Sequence, residues 1–85
     1  MVTAKNIETS LWNKVIDLLI QDNWVLSYQY DGMDAGIDYN AYTLKRGNEE
    51  IKFEWTNWFE GEIKCSIERI HEIEMLINEK FKTVE

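Results

Sequence analysis

Proline is absent from this chain, and cysteine and histidine occur once each, as Cys65 and His71. Without proline, breaks between elements fall to the four glycines and to clusters of Asn and Asp. A lone cysteine excludes an internal disulfide, and a secreted domain of this size normally carries several, so a reducing, cytoplasmic setting is expected. One His and one Cys cannot supply the four ligands of a structural zinc site. Nor do they read as a nucleophile and its base. Cys65 closes a strand pattern, His71 lies on the polar side of the helix that follows, and no third group orients them. No G-x-G or GK[ST] pattern offers a cradle for phosphate. The chain is therefore read as a non-enzyme, with neither cofactor nor metal.

Basic residues are also scarce. Nine Lys and Arg stand against sixteen Asp and Glu, for a net charge of −7. None falls between Lys14 and Lys45, whereas Asp17, Asp22, Asp31, Asp34 and Asp38 all do. Nucleic-acid binding needs a basic footprint, and so does attachment to an anionic membrane surface, so neither is expected. The longest apolar run on the first helix, Leu18-Leu19-Ile20, is far short of the ~20 residues that span a bilayer. The segment from Met1 to Asn6 has no apolar core of a leader peptide. An acidic surface serves solubility, and it also suits a basic protein partner.

What the chain does have is apolar bulk: 45% hydrophobic residues, with four Trp, four Tyr and three Phe. Each large ring buries roughly 150–250 Å², enough for a few of them to give a short chain its core. One domain over residues 1–85 is expected.

Ile7, Leu11, Val15, Leu18 and Leu19 recur at helical spacing and predict a helix over 7–22, with Asn6 as N-cap. Its apolar arc, from Ile7 through Trp12 and Ile16 to Ile20, covers roughly 220°, more than packing on one sheet requires. Trp24, Leu26, Tyr28 and Tyr30 then alternate with Val25, Ser27 and Gln29 as a first strand. Asp31 to Gly36 reads as a loop, Ile37 to Lys45 as a second strand, and Arg46-Gly47-Asn48 as a hairpin turn. Ile51, Phe53 and Trp55 point inward from a third strand, with Glu50, Lys52, Glu54 and Thr56 outward. Glu62 to Cys65 is a short fourth strand. Ser66 caps a last helix running to about Lys82, with Ile67, Ile70, Ile73, Ile77 and Phe81 as its buried stripe. The expected fold is α+β: a two-layer sandwich of order α-β-β-β-(β)-α, an antiparallel meander with both helices packed on one face.

Three acidic groupings bear on chemistry. Asp31, Asp34 and Asp38 crowd the glycine-containing loop, but their spacing is not that of an EF-hand, and Asp and Gly are the usual residues of turns. Glu54, Glu60 and Glu62 gather around the third hairpin, where pairing with Lys52 and Lys64 on a solvated face accounts for them without catalysis. Glu74 falls inside the apolar arc of the last helix, as an acid at its edge that reaches solvent.

The turn Asn57-Trp58-Phe59-Glu60-Gly61 holds the strongest local signal. Trp58 and Phe59 stand where polar residues are usual, so they either fold back over the core or stay exposed as binding anchors. Flanked by Glu54, Glu60 and Glu62, and extended by Tyr39 and Tyr42 of the neighbouring strand, they would suit a partner presenting Lys or Arg over apolar surface. The expectation is an acidic interaction module, of inhibitor, immunity or adaptor type, binding a basic protein surface. The alternative is a small-molecule binding domain that stacks a flat ligand on its rings. Homodimerisation through the first helix or a sheet edge is compatible with either.

Overall fold

The computed structural model describes residues 1–34 and 37–84, and for Met33, Asp34 and Ile37 the backbone alone. The elements are β1 (Val2–Ile7), α1 (Thr9–Gln21), β2 (Val25–Asp34), β3 (Ile37–Arg46), β4 (Glu49–Thr56), β5 (Glu60–Cys65), α2 (Ile67–Ile77) and β6 (Lys82–Val84). The strands make one sheet in the order β2-β3-β4-β5-β1-β6, antiparallel at every pairing. The α+β class and the meander from β2 to β5 are as the alternation implied. The element order differs at both ends, because a strand precedes α1 and another follows α2.

β1 occupies residues expected to lead into the helix. Val2 pairs with Cys65 and Ala4 with Ile63, and both are buried. The register then shifts, with Asn6 at a positive φ of 57°, a conformation that asparagine tolerates better than most residues. That kink turns Ile7 into the core. The helix consequently starts at Thr9, with Glu8 rather than Asn6 at the cap position.

At the other end α2 stops a turn sooner than its isoleucine stripe implied. Ser66 does cap it, accepting a bond from the Arg69 N–H at 3.3 Å. Asn78 then adopts the left-handed conformation of a helix stop, and Glu74 Oε2 accepts the Phe81 N–H at 2.7 Å. Glu74 is thus half-buried and spent on a chain reversal that sends Lys82–Val84 back to pair with β1. Phe81 still packs against the core, but from beyond the helix.

β2 carries a bulge. Leu26 lies opposite Leu44 while Tyr28 lies opposite Thr43, so Ser27 is the extra residue, its hydroxyl donating to the Thr43 carbonyl at 3.2 Å. One inserted residue flips the side chains that follow. Tyr28 and Tyr30 therefore emerge on the face opposite to Leu26. The strand also runs on through Asp31 to Asp34, which replaces part of the expected loop; Ala35 and Gly36 lie outside the described residues.

The core is one cluster. Leu44, Ile51, Phe53, Ile63, Cys65, Val2 and Ala4 line one side of the sheet, joined by Trp12, Val15, Ile16 and Leu19 of α1 and by Ile70, Ile73 and Ile77 of α2. Trp12 is its centre. The ring lies 5.6 Å from Tyr42 and 6.1 Å from Phe53 between centroids, and its Nε1 donates to the Glu62 carbonyl at 3.1 Å. It rests directly on Gly61, where a Cβ would stand 2.5 Å from Trp12 Cδ1. Trp24, also buried, carries the Arg46 guanidinium 4.7 Å from its ring centroid.

Candidate functional site

The pairing register sorts the opposite side of the sheet into rows. Tyr28, Thr43, Lys52 and Lys64 form one row across β2 to β5, and Thr3 of β1 and Val84 of β6 continue it. Tyr30, Ala41, Glu54 and Glu62 form the next, followed by Gly32, Tyr39, Thr56 and Glu60. Alternation along β4 and β5 placed Glu54, Glu62, Lys52 and Lys64 on this face correctly, but not as opposite-charge pairs. Lys52 faces Lys64 and Glu54 faces Glu62. Directly opposed like charges are destabilising. Among the described residues, none of Glu54, Glu60 and Glu62 has an ion-pair partner within 4 Å.

Tyrosines border the acidic row. Tyr28 and Tyr30 are 54% and 47% exposed, and Tyr30 and Tyr39 pack with ring centroids 5.7 Å apart. Partial burial first, then Glu54, Tyr28, Glu62 and Tyr30, push the Tyr39 hydroxyl above its ordinary pKa. Gly32 leaves room for this arrangement, since a Cβ there would meet Tyr30 Oη at 2.9 Å.

The turn between β4 and β5 is tied down while its rings are left in solvent. Thr56 Oγ1 accepts the N–H groups of Trp58 at 3.3 Å and Phe59 at 2.9 Å. Asn57 exchanges bonds with Asp38, donating its N–H to the Asp38 carbonyl at 3.3 Å and accepting the Asp38 N–H on Oδ1 at 3.1 Å. Trp58 is nevertheless 69% exposed and Phe59 65%. Of the two uses open to such rings, folding back over the core is not the one adopted. Trp55, by contrast, packs against the core and donates from Nε1 to Thr9 Oγ1 at 3.0 Å. Glu54, Trp55, Thr56, Phe59, Glu60 and Glu62 line a cleft of about 130 Å³.

Five of the six expected partner-binding residues, Trp58, Phe59, Glu60, Glu62 and Glu54, are thereby brought to one end of this face. Tyr42 is not among them. Its register opposite Phe53 puts it on the core side, against Trp12. Tyr39, expected beside it, does border this face, and Tyr28 and Tyr30 join it. Tyr39 was legible from its odd position in the second strand, whereas Tyr28 and Tyr30 reach this face only through the bulge at Ser27.

The other groupings have less to offer. Cys65 is fully buried, and burial above all pushes its thiol up to about 12, so it stays protonated and unreactive at neutral pH. His71 is exposed on α2. Of the three aspartates around residues 31–38, the Asp34 side chain lies outside the described residues; among those described, no three His, Cys, Asp or Glu side chains converge to hold a metal ion. Among the described residues, no helix is long and apolar enough to cross a membrane. The chain matches no protein-family model, no curated protein and no solved structure.

Proposed function

We propose that the protein is a non-enzymatic acidic interaction module that binds a basic protein surface. In this reading both helices cover one face of the sheet and the other face is left to the partner. Trp58 and Phe59 are its apolar anchors, Glu54, Glu60 and Glu62 its charges, and Tyr39 its border. The observation that carries the reading is the Glu54–Glu62 pair. Two carboxylates directly opposed across two strands, without a cation of their own, repel each other in the free protein. A partner's Lys or Arg seated between them would relieve that repulsion, with apolar contact from the Trp58 and Phe59 rings alongside.

At this acidic face small-molecule binding is the weaker reading; the larger groove of about 620 Å³, lined by His71, Glu74, Met75 and Phe81, lies elsewhere. Ligand sites typically enclose about 300–1,000 Å³, and the cleft beside Phe59 holds about 130 Å³. That is room for the end of one long side chain rather than for a stacked metabolite.

The test begins with native mass spectrometry of protein purified gently from its own host. The expected result is a 10.2 kDa chain carrying a discrete protein mass. Calorimetry with that partner should then give roughly a tenfold or greater loss of affinity for Trp58→Ala, and a smaller, salt-dependent loss for Glu60→Gln and Glu62→Gln. Normal binding by all three variants would refute the patch. An added mass of a few hundred daltons would favour the small-molecule reading instead.

A further inference from the structure

β2 is an outermost strand of the sheet, and β3 is its one pairing partner among the described residues. Every side chain from Val25 to Asp31 is exposed. Such an edge presents unpaired N–H and C=O groups, and proteins usually guard it by shortness, by lysine, by proline or by a bulge. The other edge, β6, has three residues and begins with Lys82. β2 has ten residues, with no Lys, Arg or Pro. Its bulge at Ser27 distorts only the beginning. From Tyr28 opposite Thr43 to Asp34 opposite Ile37 the register runs without a shift. Those seven residues extend over roughly 24 Å at the usual rise of a strand, ample for an added strand of ordinary length.

Charge narrows what could occupy that edge. No Lys or Arg occurs from Val15 to Leu44, so β2 and the adjoining stretch of β3 carry acids alone. A second copy pairing through its own β2 would bring no cation to them. Tyr28 and Tyr30, two residues apart on one face, present half-exposed rings along the edge. Asp31 lies on the other face, with Gln29.

We infer that β2 takes up an extended basic segment of the protein partner as a seventh strand, hydrogen-bonded along the open edge, with Lys or Arg at alternate positions over Tyr28 and Tyr30. Side chains directly opposite on neighbouring strands have Cβ atoms about 4.5–5.5 Å apart, within the ~6 Å reach of a cation–π contact. Residues facing the other way meet Leu26 and Asp31, which suits an aliphatic side chain and a further cation. Main-chain pairing supplies affinity here and the alternate side chains supply selection. Glu54 lies two strands in from β2, about 10 Å away. The acidic row therefore takes a different part of the same partner, and the inference rests on the basic-partner reading to that extent.

The test uses the intact protein and a capped ten-residue peptide alternating Arg with Val, followed by amide NMR and calorimetry. Two further peptides carry N-methyl groups, one on every Arg and one on every Val. Each keeps the charge but blocks the donors along one edge of the strand. The expected result is slowed exchange at the β2 amides with the parent peptide. One methylated peptide should lose about tenfold or more in affinity while the other stays close to the parent. Tyr30→Ala should weaken the parent peptide severalfold.

Three results would overturn the inference. The first is equal binding by both methylated peptides, or shifts confined to Trp58, Glu60 and Glu62, which leaves the acidic face standing without the edge. The second is no binding of the parent at millimolar concentration. The third is a sedimentation mass of twice 10.2 kDa with β2 already protected in the absence of peptide, which gives the edge to a second copy. Slowed β2 exchange, together with normal partner binding by the Glu60, Glu62 and Trp58 variants, would uphold the edge and refute the face.

Discussion

At Gly61 the Trp12 indole lies so close to the backbone that an added Cβ would also come within 2.9 Å of the Ile7 carbonyl oxygen. Neither neighbour can give way, since Trp12 is buried with its Nε1 bonded to the Glu62 carbonyl. Gly61→Ala should cost about 1–3 kcal/mol or more, the usual cost of overfilling a packed site, read as a lower urea midpoint. An unchanged midpoint would mean that the Trp12 contact is looser than described. Glu62, the next residue, faces the other way and carries the opposite expectation. Glu62→Gln removes one of two opposed carboxylates, so it should stabilise the fold by about 0.2–1 kcal/mol at low salt while weakening the partner. Destabilisation instead would show that Glu62 already has a favourable companion. The Glu54/Glu62 face was legible in the sequence because alternation fixes which way a strand residue points. Which residue stands opposite which was not. That depends on pairing register, and the expected Glu–Lys pairs became Glu–Glu and Lys–Lys.

Elements were most legible where one residue class repeats without interruption, as in Ile51, Phe53 and Trp55 of β4. β1 was hidden because Ala4, Lys5 and Asn6 are poor strand formers; the strand is held by burial of Val2 and Ala4 and by pairing with β5 and β6. β6 was hidden for the converse reason. Phe81 stands four residues after Ile77, a spacing that continues the helical stripe, yet Asn78 ends α2 before it. The ledge between helix and strand depends on Glu74, whose carboxylate holds the Phe81 N–H. Glu74→Ala should therefore cost roughly 1–2 kcal/mol, in the range of a charge-assisted bond with partial exposure. Exchange at β6 should rise ahead of the rest of the sheet, and Glu74→Gln, which keeps an acceptor, should restore most of the loss. Uniform destabilisation of all strands by Glu74→Ala would argue against a local role.

Across the molecule, the acidity is unevenly matched by cations. Arg46 and Arg69 gather three carboxylates into one chain of contacts at the end of the sheet far from the Trp58 turn. Arg46 bonds Asp22 at 3.0 Å and approaches Glu72 at 3.9 Å, while Arg69 grips Glu49 through Nε and Nη2, at 2.5 and 2.9 Å, and reaches Glu72. Asp22 ends α1, Arg46 ends β3, Glu49 begins β4 and Glu72 belongs to α2. The cluster thus ties both helices to one hairpin, whereas among the described residues Glu54, Glu60 and Glu62 have no ion pair within 4 Å. Its bond with Arg69, before any other cause, holds the Glu49 carboxyl below its ordinary pKa of 4.5. A carboxylate depressed in the folded state binds fewer protons there than in the unfolded chain, so its contribution is complete above the unfolded value and disappears as the pH falls through the folded one. Denaturation midpoints should accordingly fall as the pH drops below about 4.5, and Arg69→Met should flatten that part of the profile. Because Glu49 is exposed, added salt should flatten it too. A variant with the same slope as the parent protein would remove the Glu49–Arg69 pair as a source of acid sensitivity, and would assign it to the remaining carboxylates.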